Sequence, residues 1–310
     1  MVATRAVHFA ATAVTVGSVI FEVLIATLVL QHRATAAISF RKRAGRATWT
    51  GLVVAVISGL TWLLLQASSM SGLPFNEALT TDTLSTVINE TQFGRVAIIR
   101  AGLAIFLAVC LVHHRTAASR WLGLLAATGL AGSLAWTGHA GASVGAAGYL
   151  HLTADALHTV AAAAWIGGLV SLITLLATSR IREDMSVVRH AIERFSTMGM
   201  ICVAIILFTG IVNGVILVGS FYGLVATEYG RLLMLKIAMF AVMLAFAAAN
   251  RFRLTPQLAS TGKEQSAAAL HRLIRNSAIE TALGLGILVI VALLGTLHPA
   301  THLVDVTTSW

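Results

Sequence analysis

Charged residues are scarce in this 310-residue chain. Asp, Glu, Lys and Arg together make up 11% of it, whereas hydrophobic residues make up 57%. Soluble domains carry about 25% charged residues, so the composition excludes a water-soluble protein. Several apolar runs are longer than the roughly 18 residues that mark a membrane-spanning helix. The sequence therefore predicts an all-α polytopic membrane protein.

Cysteine is almost absent as well. The two cysteines, Cys110 and Cys202, lie inside separate apolar runs, which excludes a disulfide framework and a CxxC redox or zinc motif. A thiolate is a soft ligand that suits Cu(I), although buried cysteines are mostly inert packing residues. Both interpretations stay open, so we keep the two cysteines as candidate exit ligands for a metal.

The apolar runs predict eight transmembrane helices. We expect them near residues 6–30, 49–68, 93–112, 121–137, 149–178, 195–219, 231–250 and 273–297. Alternate gaps between these runs, beginning with the first, contain 15 of the 21 Lys and Arg residues, and Arg275 lies at the start of the last run. Cytoplasmic loops are the ones enriched in basic residues, so we expect both termini on the outer, periplasmic side. The net charge of +9 then reflects membrane topology, and the lipid bilayer rather than nucleic acid is the expected partner.

The two halves of the chain look like copies of one another. Each half repeats the same short patterns in the same order, which predicts a 4+4 parallel internal repeat: residues 1–148 and residues 149–310 within one integral membrane unit. Four helices separate equivalent positions, so the halves would relate by an axis along the membrane normal. The matching pairs are His8 and Gly17 with His158 and Gly167, Ser58-Gly59 with Thr209-Gly210, and Phe93-Gly94-Arg95 with Tyr229-Gly230-Arg231.

One helix face carries the strongest functional signal. His151, Asp155 and His158 are spaced i, i+4 and i+7, so they share a face at the start of the fifth predicted span. Ionisable side chains in spans are costly and usually functional, and imidazole suits copper, zinc and haem iron. The alternative is that such histidines are amphipathic anchors at the interface. We predict an outer-side metal site, with the set His8, His139, His151, Asp155, His158 and His298.

Four further ionisable residues lie inside predicted spans: Glu22, Arg100, Lys236 and Glu280. One interpretation makes the two acids an ion or proton pathway below the outer site. The other pairs them with the two cations, because buried charges usually find partners. Trp165 lies on the same stripe as His158, where it could line the site from beneath or only pack.

Several of these short motifs together resemble one known family. Asp155-x-x-His158 followed by Trp165-Ile-Gly167-Gly168 resembles the signature of the copper resistance protein D (CopD) family. The resemblance continues through Arg194-Phe195-Ser196, Thr209-Gly210, Tyr229-Gly230-x-x-Leu-x-x-Lys236 and Asn250-Arg251. It implies a multi-pass bacterial inner-membrane protein that handles copper and works with a separate periplasmic copper-binding protein. It also implies import of copper towards the cytoplasm.

The sequence leaves three functions open. The first is copper transport or copper handling at the inner membrane, with Cu(I) or Cu(II) held at the outer site and no enzymatic activity. The second is a haem-binding transmembrane oxidoreductase, because histidines in symmetric pairs could provide bis-imidazole ligation. The third is a copper-delivery or assembly factor for a membrane oxidase.

Overall fold

The protein is helical in every regular segment that the structure describes. The computed structural model describes residues 1–72, 77, 79–114, 116–138, 141, 145–178, 184–258 and 263–299. A bilayer offers no hydrogen-bond partners to the backbone, so a helix, which satisfies its own backbone groups, is the structure expected of such apolar runs. The predicted all-α class is confirmed.

Ten α-helices form the described part of the chain. Two of them, α1 and α9, continue through a π-helical turn into a last short α-helical segment: Glu22–Ala26 and Thr27–Val29 after α1, and Asn250–Leu254 and Thr255–Gln257 after α9. The ten are α1 Val2–Phe21, α2 Ala34–Ser71, α3 Thr81–Glu90, α4 Gln92–Val112, α5 Ala117–Gly132, α6 Gly145–Leu176, α7 Met185–Val218, α8 Phe221–Ala226, α9 Glu228–Ala249 and α10 Lys263–Leu294.

Seven of the described helices are long and apolar enough to cross a membrane, where the sequence predicts eight. The one that falls short is α5, which occupies the predicted span 121–137. Only its first 16 residues are α-helical, and Ser133–Thr137 follow as a 3-10 helix. The change of helix type coincides with the Leu130 carbonyl, which accepts hydrogen bonds from the side chains of Arg100 and Ser133. Side chains that insert into a helical hydrogen-bond ladder alter the helix locally in this way.

Three helices begin well before their predicted spans. α2 begins at Ala34 rather than near residue 49, α7 at Met185 rather than 195, and α10 at Lys263 rather than 273. The early segments are polar but contain no proline, and Ala, Arg and Lys are strong helix formers. Hydropathy therefore located the apolar part of each helix and missed its polar extension.

Helices α1 and α6 form the centre of the bundle. They are the most buried spans, with 61% and 67% of their most apolar stretches inside the protein, against 6% for the span that contains α9. The two helices meet at Gly17 and Gly167. A Cβ on Gly17 would overlap the Ala163 carbonyl, and a Cβ on Gly167 would overlap the Ala13 carbonyl. Small residues allow such close helix contact in membranes.

The other helices surround this central pair. α2 packs against α1 and α7 packs against α6, whereas α5 and α10 each contact both central helices. α4 packs on α5, and α9 packs on α10. The central pair thus holds the two halves of the chain together.

Helices α4 and α9 begin with the same local structure. The Thr91 hydroxyl accepts a hydrogen bond from the Gly94 N–H at 3.0 Å, and the Thr227 hydroxyl accepts one from the Gly230 N–H at 3.0 Å. Each threonine is thus an N-cap. Both glycines are required by close packing, since a Cβ would overlap the backbone of the short preceding helix, α3 or α8.

Removal of the Thr227 N-cap tests how much this cap stabilises the start of α9. We expect Thr227→Val to lower the free energy of unfolding by about 1 kcal/mol, because the Gly230 N–H loses its acceptor. Thr61→Val is the matched control, since the Thr61 side chain is exposed and its hydroxyl bonds only to its own helix. Equal thermal stability of the two variants in detergent would show that the cap contributes nothing.

Candidate metal site and buried polar networks

His8 of α1 lies in a closed hydrogen-bond network within the first half. It is 4% exposed. Its Nε2 is 2.8 Å from Arg100 Nη2, and its Nδ1 is 2.9 Å from the Ala55 carbonyl and 3.1 Å from the Ser58 hydroxyl. A guanidinium only donates, so Nε2 accepts from Arg100, and Nδ1 carries the proton that is donated to Ala55. Both ring nitrogens of His8 are therefore engaged.

Arg100 extends this network to the next helix. Its Nη1 donates to the Leu130 carbonyl and to the Ser133 hydroxyl, both at 2.7 Å. Gly59 leaves room for the imidazole, because a Cβ there would lie 3.0 Å from His8 Cε1. The network thus joins α1, α2, α4 and α5.

His158 of α6 lies in a corresponding network within the second half, but it keeps a free lone pair. Its Nδ1 is 2.9 Å from the Thr209 hydroxyl, and that hydroxyl donates its own proton to the Ile205 carbonyl at 2.6 Å. Nδ1 must therefore be the donor to Thr209, and Nε2 is the unprotonated nitrogen. No hydrogen bond reaches Nε2 from the described part of the chain.

Asp155 adds a carboxylate one helical turn before His158. Asn213 Nδ2 of α7 donates to Asp155 Oδ1 at 3.1 Å, whereas Asn213 Oδ1 is buried and has no hydrogen-bond partner among the described residues. Lys236 of α9 interacts electrostatically with both Asp155 and His158. The second network therefore presents oxygen and nitrogen lone pairs, next to one cation.

The two networks use matching residue types from matching helices. In each, a histidine bonds to a hydroxyl that is followed by glycine, and a cation comes from the third membrane span of the half, α4 or α9. They differ in their electrostatics: Arg100 takes the lone pair of His8, whereas in the second half Asp155 lies beside a histidine that keeps its lone pair. Among the described residues, the Nε2 lone pair of His8 thus accepts a hydrogen bond, and that of His158 does not.

The described part of the chain does not gather the remaining predicted ligands into one group that could hold a metal. His151 is 1% exposed and lies two turns before His158 on α6, whereas His298 is exposed after the end of α10. His139 lies outside the described residues. Within the described ranges, no group of three or more His, Cys, Asp or Glu side chains is placed to hold one metal ion.

Glu22, which is half-buried, and Glu280, which is buried, have partners other than Arg100 and Lys236. Glu22 pairs with Arg41 at 3.3 Å. Glu280, at 2% exposure, accepts from Asn250 Nδ2 at 2.6 Å, and the Asn250 carbonyl oxygen in turn accepts from Asn276 at 3.0 Å. The predicted pairing of acids with buried cations is therefore not what the structure contains. Glu22 and Asn250 each begin a π-helical turn, a feature that is frequent at functional sites.

The cysteines and Trp165 occupy distinct positions. Cys110 lines a crevice with Glu22 and His114 at the ends of α1 and α4, and Cys202 is buried in α7. Trp165 packs edge-on against Phe240, with 5.9 Å between ring centroids. It is a core residue that lies two turns beyond His158.

Sequence reasoning missed three polar residues that the structure makes prominent: Arg5, Trp62 and Asn213. A signal for Asn213 was present, because an amide four residues after Thr209 lies on the same helix face. The burial of Arg5 depends on the packing of α10 against α1.

Comparisons with known proteins identify relatives of the chain. Residues 1–149 match the family described as copper resistance protein D-like, N-terminal domain, and residues 189–294 match copper resistance protein D. The chain is 31% identical to copper resistance protein D of Pseudomonas syringae pv. tomato, over 87% of each chain.

Two further relatives are similar at lower identity. The chain is 28% identical to inner membrane protein YebZ of Escherichia coli strain K12, over 96% of this chain and 98% of the relative. It is also 28% identical to copper transport protein CutJ of Bacillus subtilis strain 168, over 80% of this chain and 45% of that longer protein. No solved structure matches the chain.

Proposed function

Because the chain belongs to the copper resistance protein D family, we propose that it transports copper across the bacterial inner membrane through a site at Asp155 and His158. Membership of this family places the protein in copper handling at the inner membrane. Two of its relatives are named as copper resistance and copper transport proteins, which supports copper as the cargo rather than a resident cofactor.

The observation that carries the proposal is the unpaired Nε2 of His158 beside an oxygen-rich neighbourhood. Imidazole nitrogen is a good copper ligand. Asp155 Oδ2 and Asn213 Oδ1 lie on the same pair of helices, and Thr209 holds the ring in the tautomer that leaves Nε2 available. Such an orienting hydrogen bond is typical of histidine ligands to metals. His151 precedes this site on the same helix face and would meet the ion first.

We assign the outer side to this site from the distribution of basic residues. In this topology both termini are periplasmic, α5 with its 3-10 extension is an eighth span, and the two halves form a 4+4 repeat about the α1–α6 contact. His139 and His298 then belong to the outer surface, where a separate periplasmic copper-binding protein would deliver the ion. The matching networks around His8 and His158 support the repeat.

His8 has a different role from His158 in this proposal. Its lone pair is held by Arg100, so it stabilises the first half rather than binding copper in the described state. Glu22, Glu280, Cys110 and Cys202 lie on the inner part of the route. Cys110, Glu22 and His114 line one crevice there, which supports them as exit contacts.

The haem and assembly-factor alternatives have less support. Bis-histidine ligation of haem needs two imidazoles with free nitrogens facing one another, and no contact among the described residues favours that arrangement. An assembly factor would bind copper at the same site without moving it across the membrane.

Copper uptake into sealed vesicles tests the proposal. We expect vesicles that contain the purified protein to accumulate copper faster than protein-free vesicles, with a rate that saturates with copper concentration. Binding without accumulation would favour the assembly-factor alternative. A strong Soret absorption band in the purified protein would instead support haem.

A further inference from the structure

Glu280 of α10 is a buried acid that the copper site proposed above does not use. Its side chain is 2% exposed, and it lies inside a membrane span. An ionised carboxylate that is removed from water is strongly unfavourable unless a cation and hydrogen bonds compensate it. The charge state of Glu280 therefore depends on what its neighbours provide.

The side chains that form hydrogen bonds around Glu280 are neutral amides. Asn250 Nδ2 donates to Glu280 Oε1 at 2.6 Å, and Asn276 Nδ2 donates to Asn250 Oδ1 at 3.0 Å. The ion pairs among the described residues do not include Glu280, and no charged side chain in the described ranges interacts with it electrostatically. The carboxyl group is thus connected to two amides and to no cation.

Helices α1, α6 and α9 pack against α10, and the charged groups of the first two are engaged elsewhere. On α1 and its extension, Arg5 donates to the Gly295 carbonyl, and Glu22 pairs with Arg41. On α6, no titratable residue follows His158. Neither helix therefore supplies a free cation to Glu280.

The cations of α9 and α10 are also accounted for in the described part of the chain. Lys236 interacts with Asp155 and His158, and Arg251 Nη1 donates to the Ser196 hydroxyl at 2.6 Å. An ionised Glu280 would be an uncompensated buried charge, and binding of a proton removes that cost. The other basic side chains close to Asn250 or Glu280 in the sequence are exposed: Arg253, His271, Arg272 and Arg275.

The two amides can serve either charge state of the carboxyl group. Each carboxamide has a donor nitrogen at one end and an acceptor oxygen at the other. In the observed order, both amides donate towards Glu280. Rotation of both carboxamides reverses that order, so that Asn250 Oδ1 accepts from a protonated Glu280 and Asn276 Oδ1 accepts from Asn250 Nδ2. The same three side chains can therefore remain hydrogen-bonded to one another with and without the proton.

A surface groove gives this network access to water. Asn250 begins the π-helical turn that follows α9, and the next residue, Arg251, lines a groove of about 320 Å³ together with Ser196 and Thr255. The Thr255 hydroxyl donates to the Asn250 backbone carbonyl at 2.8 Å. The groove is large enough for several water molecules, so a proton can enter from solvent close to the amide that bonds to Glu280.

We infer that Glu280, Asn250 and Asn276 form a proton-binding site within the membrane. The Glu280 carboxylate takes one proton from water that enters the groove and releases it by the same route, and no other bond changes. Acidic side chains inside spans act as proton relays in pumps and transporters. The site shares no residue with the copper site, so it stands whether or not the protein transports copper.

Infrared spectroscopy of the purified, copper-free full-length protein in detergent tests the inference. A protonated carboxyl group has a carbonyl band that is separate from those of carboxylates and that shifts in D₂O. We expect such a band at neutral pH, its loss in Glu280→Gln, and its reversible loss from the original protein as the pH is raised. Glu22→Gln is the matched control, because Glu22 pairs with Arg41 and is already ionised.

A change in the amide tests the rest of the site. Asn250→Ala removes the hydrogen-bond partner of the carboxyl group, so the Glu280 band should move to a different frequency. Asn89→Ala is the control at an exposed position, and its band should be the same as in the original protein. An unmoved band in Asn250→Ala would remove the amides from the site and overturn the inference as stated.

Two further outcomes would contradict the proton site itself. If Glu280→Gln removes no band at neutral pH, Glu280 is ionised and the inference is wrong. If the Glu280 band persists at every pH at which the protein stays folded, the carboxyl is permanently neutral and does not exchange a proton.

Labelling of the original protein keeps the test available if Glu280→Gln does not fold. Dicyclohexylcarbodiimide reacts with protonated carboxyl groups in apolar surroundings, and mass spectrometry locates the modified residue. We expect modification of Glu280 at neutral pH, less of it as the pH is raised, and none at Glu22. An unmodified Glu280 would overturn the inference.

Discussion

Replacing His158 by alanine is expected to weaken copper binding by at least about 100-fold, because it removes an imidazole whose Nε2 has no hydrogen bond from the described residues and which lies one helical turn from a carboxylate. The Thr209→Val variant keeps the imidazole but loses the hydrogen bond that sets its tautomer and direction, so a smaller loss of about tenfold is expected. Asp155→Asn keeps the shape of the site and removes its negative charge. Competition with a copper chelator on the purified protein measures all three affinities.

His8 and His113 provide the comparisons that make this prediction specific. His113 is exposed at the end of α4, so His113→Ala should bind copper normally. His8→Ala should lower thermal stability, because Arg100 loses a buried acceptor, while copper affinity changes little. Loss of copper binding in His8→Ala together with normal binding in His158→Ala would reverse the roles that we assign to the two halves.

A leucine at Gly17 or Gly167 is expected to prevent correct packing of the bundle. Each glycine lies against the backbone of the other central helix, and a backbone cannot move aside as a flexible side chain can. We expect a loss of about 3 kcal/mol or more, the upper part of the range for overpacked cores. The measurements are the yield of monodisperse protein in size-exclusion chromatography and its thermal unfolding in detergent.

Gly102→Leu is the matched control for this change. Gly102 lies in α4 and has no atom within 4 Å of the position of an added Cβ. Glycine is less favourable than leucine in a helix interior, so this variant should be at least as stable as the original protein. If Gly17→Leu and Gly102→Leu were equally stable, the α1–α6 contact could not be the centre of the fold.

The helices could be predicted from the sequence because membrane insertion depends on the local composition of about 20 residues. The polar starts of α2, α7 and α10 could not be found in this way, since they lie beyond the apolar stretches that hydropathy detects. The glycine pair at positions 17 and 167 was visible as a repeated spacing, but its contact needed the packed structure.

The candidate site was predicted only in part. The spacing of His151, Asp155 and His158 on one face follows from helical geometry alone. Helical geometry does not show that Nε2 accepts a hydrogen bond in His8 and not in His158. That difference depends on which cation reaches which imidazole. Arg100 and Lys236 occupy similar positions in the sequence pattern, yet only Arg100 forms a hydrogen bond to its histidine. Similarly, nothing local indicated that Glu22 pairs with Arg41 and Glu280 with Asn250.

The sequence by itself determined that this protein is an all-helical membrane protein of the copper resistance protein D family, with one histidine- and aspartate-bearing helix face. Only the tertiary structure decided which histidine lone pair accepts a hydrogen bond, that of His8, and which does not, that of His158. The physical reason is one of range. Hydropathy and the helical period act between neighbours along the chain, whereas the partner of a buried polar group depends on how distant helices rotate and pack in the bilayer.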